Sequence, residues 1–187
     1  MSGPAPLVLR TVGPDQTRSM ACSLAPLCAP GDVVLLAGGL GAGKTTFAQG
    51  FGAGLGITEP ITSPTFTLVR HYAVPGPAGG ADAPDRVRTL LHADVYRLDR
   101  VHEIVDLGLG QLVEDGGVAL VEWGDAAGPV LGEGSLAVTL DADGDDDDHR
   151  LISVRAEGPA WASRWAALQA GLSPWRVAAS TCGPEAP

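Results

Sequence analysis

The chain has 187 residues, 45% of them hydrophobic and 5% aromatic, which suits one soluble α/β domain with a real core and leaves too little material for two. A formal charge of -10 and an isoelectric point near 4.6 exclude a surface that grips nucleic-acid phosphates by itself, so any RNA contact needs a basic partner. Met1-Ser2-Gly3-Pro4 opens no charged and apolar signal segment, and no apolar run approaches membrane length; a cytoplasmic protein with no membrane contact is expected.

Leu7 to Thr11 reads as a short strand. Gly13-Pro14-Asp15 then starts a helix that Asp15 is able to cap, and Thr17 to Leu27 carries apolar residues at helical spacing. Cys22 and Cys28 fall in this region. With Cys182 they form no metal spacing and leave one thiol unpaired, as expected of free cysteines in a reducing compartment. Pro30-Gly31 turns the chain into Asp32 to Ala37, a buried strand.

The stretch that follows, Gly38-Gly39-Leu40-Gly41-Ala42-Gly43-Lys44-Thr45-Thr46, has the spacing of a phosphate-binding loop in the required context of strand, loop and helix. Glycines let the backbone wrap a triphosphate so that successive N–H groups face its oxygens, and the next helix adds the positive end of its dipole. Lys44 can reach the outer phosphates, and the Thr45 hydroxyl is placed to hold a magnesium ion bridging them. The chain has eleven arginines and a single lysine, and that lysine stands where a flexible point charge is wanted. The dinucleotide motif Gly-x-Gly-x-x-Gly does not fit, because counting from Gly39 its last position is Lys44.

A helix beginning near Thr45 is expected to end in the cluster Gly52, Gly54 and Gly56. Thr62-Ser63-Pro64-Thr65-Phe66-Thr67 is a hydroxyl-rich loop leading into an alternating run to Tyr72. Ser63 or Thr65 could offer a hydroxyl to magnesium and the outermost phosphate, or Ser-Pro-Thr could simply cap a turn before a strand. Val74 to Arg86 reads as an exposed loop at a hairpin tip, Val87 to Val95 as a strand, and Val101 to Gly110 as a short helix and turn. Val118 to Val121 is an apolar strand that delivers Glu122 and Trp123 at its end.

Magnesium at a nucleotide needs carboxylates opposite the loop threonine, at the carboxyl ends of neighbouring strands, and Glu122 and Asp94 meet that description. Glu122 is assigned to the metal, directly or through water, and Asp94 to the attacking water, with the two roles interchangeable at this level. The plainer readings are an ion pair of Asp94 with Arg97 or Arg100 and a helix-start carboxylate for Glu122. His92 reads as a structural hydrogen-bonding residue. Trp123 is either core or an aromatic wall near the nucleotide.

Taken together, Gly39 to Thr46, Ser63-Pro64-Thr65-Phe66-Thr67-Leu68, His92-Ala93-Asp94-Val95-Tyr96-Arg97-Leu98 and Val121-Glu122-Trp123 closely resemble the TsaE (YjeE) family of small bacterial ATPases. That family serves the threonylcarbamoyladenosine modification of tRNA, and the match spans about Asp15 to Gly158. The resemblance implies a P-loop NTPase fold with a central, mostly parallel or mixed sheet, flanking helices and a C-terminal β-hairpin. It also implies ATP and Mg2+ as ligands, weak hydrolysis, and work with the TsaB–TsaD pair, tRNA being met only through those partners. Lys44, Thr45 and Thr46 become phosphate and magnesium residues by this similarity, and Asp94 and Glu122 the acids required for hydrolysis; Gly39, Gly41, Ala42 and Gly43 are the loop residues expected at the phosphates. Thr17 and Arg150 are similar to positions that approach the nucleotide.

Ser135 to Leu140 and Leu151 to Arg155 are expected to pair as a hairpin across Asp141 to Asp148. An EF-hand calcium loop is excluded there, because its sixth position is Asp146 rather than glycine and no closing glutamate follows. The ATPase domain is expected to occupy residues 1–158, and residues 159–187 a helix over Trp161 to Leu172 followed by a disordered tail from Pro174. A signalling GTPase is excluded for want of any asparagine and of a second lysine. A small-molecule or nucleoside kinase is the alternative, with Arg97 and Arg100 the nearby arginines for a lid. A slow nucleotide-sensing module overlaps with the ATPase reading.

Overall fold

The computed structural model describes residues 4–76, 86–96, 116–124, 134–144 and 146–177. The tip of the first hairpin, the expected helix over Val101 to Gly110, Arg97, Arg100, Asp145 and Cys182 lie outside them. Seven strands form one mixed sheet: β1 (Leu7–Thr11), β2 (Val33–Ala37), β3 (Val69–Ala73), β4 (Thr89–Asp94), β5 (Gly117–Glu122), β6 (Ser135–Asp143) and β7 (Asp146–Ala156). Their order is β1-β7-β6-β2-β5-β4-β3. The centre is parallel, with β2 between β5 and β6 and with β4 beside β5, while β3, β7 and β1 add antiparallel edges.

Composition follows position in the sheet. β5 is buried along its whole length and β2 nearly so, as continuous apolar runs require when both faces are covered. β1 alternates buried and exposed residues at the edge. The β6–β7 hairpin forms as expected, but its strands extend to Asp143 and Asp146, so most of the acidic stretch is strand rather than tip.

One face of the sheet is covered by α1 (Pro14–Leu24) and α2 (Lys44–Gly54). In α1, Thr17, Met20, Ala21 and Leu24 are buried at the spacing of one helical face, and Pro14 stands in the first turn. Asp15 does not cap this helix. Gly13 is the N-cap, and Asp15 is the second residue of the first turn, favourable for the helix dipole and paired with Arg18 at 2.7 Å.

The glycines of α2 divide into two roles. Only Gly56, at φ 82°, ends the helix, in a Schellman arrangement with Ile57 N–H on Gly52 O (3.0 Å) and Gly56 N–H on Ala53 O (2.9 Å). Gly50 and Gly54 stay inside it because α1 lies against them. A Cβ at Gly50 would stand 2.2 Å from Arg18 O, and one at Gly54 2.4 Å from Cys22 O.

Beyond the hairpin, α3 (Pro159–Ala162) and α4 (Trp165–Gly171) replace the single helix expected. Trp161, Trp165, Leu168 and Leu172 join the same core as α1 and α2. Arg164, at the junction, lies 4.0 Å over the Trp161 ring and forms a bidentate pair with the buried Asp32 (2.5 and 2.7 Å). The hydrogen bond to Asp32 raises the Arg164 pKa against the opposing effect of burial. The chain from Pro174 to Val177 runs beside β1, with Val177 N–H on Val8 O at 3.1 Å.

Two stability predictions follow from this packing. Gly50→Ala should lower the melting temperature even though alanine is the better helix former by about 1 kcal/mol, because forcing a methyl into backbone costs about 1–3 kcal/mol. Arg164→Leu should cost about 2–3 kcal/mol, below the usual figure for breaking a buried pair because the arginine is partly exposed. Thermal melts should then fall by about 5–10 °C.

Candidate nucleotide site

Because β2, β5 and β4 run parallel and in register, their carboxyl ends reach one edge of the sheet together. Leu36 pairs with Glu122, and Glu122 with Asp94. The phosphate loop leaves β2 at that edge, where a parallel sheet opens its crevice. Gly38 has to be glycine, since a Cβ would stand 2.4 Å from Leu140 O on β6. Gly43, at φ 99°, is the left-handed residue that turns the loop into α2.

A cavity of about 270 Å³ opens over this edge. It is lined by Gly41, Ala42, Gly43, Lys44, Thr45 and Thr46 from the loop, Ser63 and Thr65 from the hydroxyl-rich segment, and Asp94, Glu122 and Trp123 from the strand ends. Gly39 does not line it. Its carbonyl instead accepts a hydrogen bond from Lys44 Nζ at 2.9 Å, and Gly38 O accepts another at 2.8 Å. The same ammonium lies 3.7 Å from the centre of the Trp123 ring.

The two acids are held separately. Thr45 Oγ1 donates to Glu122 Oε1 at 3.1 Å, and His92 Nε2 lies 2.9 Å from the same oxygen. Asp94 accepts Thr65 Oγ1 on Oδ2 (2.5 Å) and the N–H of Tyr96 on Oδ1 (2.9 Å). Ser63 and Thr65 share a hydrogen bond of 2.7 Å, so the 63–65 turn is linked through hydroxyls to the end of β4. Glu122 is the last residue of β5, with no helix starting on it, and both acids are buried. Among the described residues no three His, Cys, Asp or Glu side chains form a cage for a metal. One hydroxyl and two carboxylates, all hard oxygen donors, fit an ion that takes its remaining ligands from phosphate and water, as Mg2+ does.

Trp123 was undecided in the sequence, and the fold makes it a wall of this cavity. It adopts φ 61°, a left-handed conformation unusual for a bulky residue, and its ring packs on Tyr96 with centroids 4.7 Å apart. Leu68, at φ 65°, is the second such residue, at the end of the hydroxyl-rich turn. Phe66 is not part of a strand; β3 starts at Val69, and Phe66 stands 87% exposed.

Thr17 and Arg150 line a second cavity of about 160 Å³ on the other side of the loop, together with Pro14, Thr46 and Asp148. The Thr17 hydroxyl bonds Thr11 Oγ1 (2.9 Å) and Gly13 O (3.3 Å). Arg150 donates Nε–H to Ala42 O (2.8 Å) and an Nη2 hydrogen to Gly41 O (3.1 Å), while Nη1 bonds the carbonyls of Asp147 and His149. It ties the β6–β7 hairpin to the outside of the phosphate loop, a contact that sequence reading could not supply because the partners are backbone atoms more than a hundred residues away.

A model of the family described as "Threonylcarbamoyl adenosine biosynthesis protein TsaE" matches residues 11–152, a span that holds every candidate residue from Thr17 to Arg150. The chain belongs to the TsaE family. It is 42% identical over 149 residues to the tRNA threonylcarbamoyladenosine biosynthesis protein TsaE of Bacillus subtilis, covering 80% of this chain and 85% of the relative. The TsaE of Streptomyces coelicolor is 39% identical over 157 residues, which covers 82% of this chain and 99% of the relative. Among solved structures, Bacillus subtilis YdiB superposes with a TM-score of 0.67 at 35% identity over 91% of this chain and 95% of that one. Membership in the TsaE family makes this a P-loop nucleotide-binding protein of tRNA threonylcarbamoyladenosine biosynthesis, in accord with the site geometry. The TsaE match ends before α3, so the Arg164 clamp lies outside the matched region.

Arg150→Ala removes four hydrogen bonds to carbonyls, two of them on the phosphate loop. Nucleotide dissociation constants from titration calorimetry should rise roughly ten-fold, the equivalent of about 1–2 kcal/mol.

Proposed function

We propose that the chain is a magnesium-dependent ATPase of low intrinsic turnover that acts with the TsaB–TsaD pair in threonylcarbamoyladenosine formation, in the cytoplasm and with tRNA met only through those partners. The observation that carries this reading is the bond from Thr45 Oγ1 to Glu122 Oε1 beside Asp94, across the cavity from Lys44. Thr45 and Glu122 would hold magnesium, with Asp94 near them, and the ion would neutralise charge on the phosphates. The backbone N–H groups from Gly41 to Thr46 are suited to bind phosphate oxygens, and Lys44 to exchange the Gly38 and Gly39 carbonyls for the outer phosphates. Asp94 is suited to orient the attacking water or take its proton, with Thr65 fixing the carboxylate and the 63–65 turn closing on the outermost phosphate.

One feature favours hydrolysis coupled to a partner over a kinase. Leu40, Phe66 and Tyr96, which are 96%, 87% and 60% exposed, stand on the loops that form or flank the cavity, so a protein docked there would feel the state of the nucleotide.

Purified chain with magnesium and ATP should release phosphate slowly, and TsaB–TsaD should change that rate; stoichiometric phosphorylation of a small molecule would favour the kinase instead. Lys44→Ala should weaken ATP binding, and Glu122→Ala should lower kcat by roughly 10–100-fold, a larger loss than it causes in magnesium-dependent ATP binding. Unchanged turnover in both variants would remove the assignment. Depletion in cells should lower threonylcarbamoyladenosine in tRNA.

A further inference from the structure

His92 lies on β4 two residues before Asp94, on the sheet face that α1 and α2 cover, and it is completely buried. Its Nε2 is 2.9 Å from Glu122 Oε1, while Nδ1 is buried with no hydrogen-bond partner among the described residues. A carboxylate oxygen accepts, so the tautomer with hydrogen on Nε2 makes this bond and leaves Nδ1 a lone pair without a partner among the described residues.

A half-satisfied imidazole is a poor way to fill apolar space. Leu90 on the same strand and Leu120 beside it on β5 fill theirs with hydrocarbon. What the ring adds is one directed bond to Glu122, from a position locked by core packing. Thr45, the other donor to Oε1, belongs to the phosphate loop and follows any movement of that loop, whereas His92 belongs to the sheet.

We propose that His92 is the positioning residue that aims Glu122 at the metal and keeps it aimed there when the phosphate loop adjusts to nucleotide. The proposal rests on the magnesium-dependent ATPase reading above. His92 touches neither nucleotide nor metal; it acts by restricting the rotamer of Glu122, as groups behind metal ligands commonly do.

The test compares the wild-type chain with His92→Leu, which removes the donor and keeps an apolar filler, and His92→Gln, whose amide nitrogen can stand near the position of Nε2. His92→Leu should lower kcat by roughly 10–100-fold and raise the magnesium concentration for half-maximal activity. It should leave ATP affinity without magnesium unchanged and the melting temperature no lower. His92→Gln should recover most of both losses. Equal magnesium dependence in all three proteins, or equal damage in both variants, overturns the proposal, since a merely structural imidazole would not be rescued by an amide.

If wild-type chain hydrolyses no ATP, the ATPase reading falls while the His92 proposal is judged on binding. Magnesium should tighten ATP binding less in His92→Leu than in wild type and His92→Gln, the loss being no greater than that in Glu122→Ala, and the same tightening in all three overturns it. If His92→Leu does not fold, imidazole 15N resonances of the wild-type chain decide. Hydrogen on Nε2 and a response of that signal to magnesium with ATP support the proposal; hydrogen on Nδ1, or no response, overturns it.

Discussion

The hydrogen bond between the Thr45 hydroxyl and the Glu122 carboxylate joins the first turn of α2 to the end of β5, and the candidate site is arranged around it. It can form only because β2 and β5 are parallel neighbours in a register that pairs Leu36 with Glu122. Slipping β5 by one residue would turn Glu122 to the opposite face of the sheet and put Val121 against the phosphate loop. The same register continues into β4, which sets Asp94 beside Glu122 and puts His92 on the same face one pleat behind. Asp94, Glu122 and His92 thus share one face of the sheet, which no single segment of the chain defines.

The loop must also be held against its own tendency to open, since a run of glycines has much conformational freedom to lose. Three contacts restrain it. Gly38 lies against the Leu140 carbonyl of β6, Arg150 of β7 binds the carbonyls of Gly41 and Ala42, and α2 is pressed on α1 through Gly50 and Gly54. Glycine therefore has opposite uses within twenty residues: freedom of φ in the loop, and the absence of a side chain in the helix. Turning carbonyls outward to Arg150 leaves amide hydrogens for the interior of the loop, the arrangement an anion needs.

Trp123 and Lys44 connect the cradle to the acidic side of the cavity. The lysine is held by two carbonyls and a ring face, so its charge is satisfied locally. Asp94 and Glu122 are likewise satisfied by threonine hydroxyls. The polar groups of the site are thus paired with one another across the loop and the strand ends. On the other side of the molecule, Arg164 and Asp32 fasten the last helices to the turn that feeds β2, which extends the core beyond the segment matched by the family.

The phosphate loop, the acids at Asp94 and Glu122 and the strands that carry them were legible in the sequence, because each depends on residues close together in the chain: glycine spacing, apolar runs, and an acid where the run stops. The family was legible for the same reason, in four short blocks. The role of Gly50 and Gly54, the bonds of Arg150 to the loop, the clamp of Arg164 on Asp32, the division of the last helix into two and the partnership of His92 with Glu122 were not. Apart from the helix division, each of these is a contact between residues 30 to 132 apart, and in several the partner is a backbone carbonyl, which every residue possesses and which therefore leaves no mark in the sequence. Local patterns determined which chemistry the chain carries; the register of three parallel strands decided where its groups meet, because that register is set by how whole faces of the sheet bury against α1 and α2 rather than by any one residue.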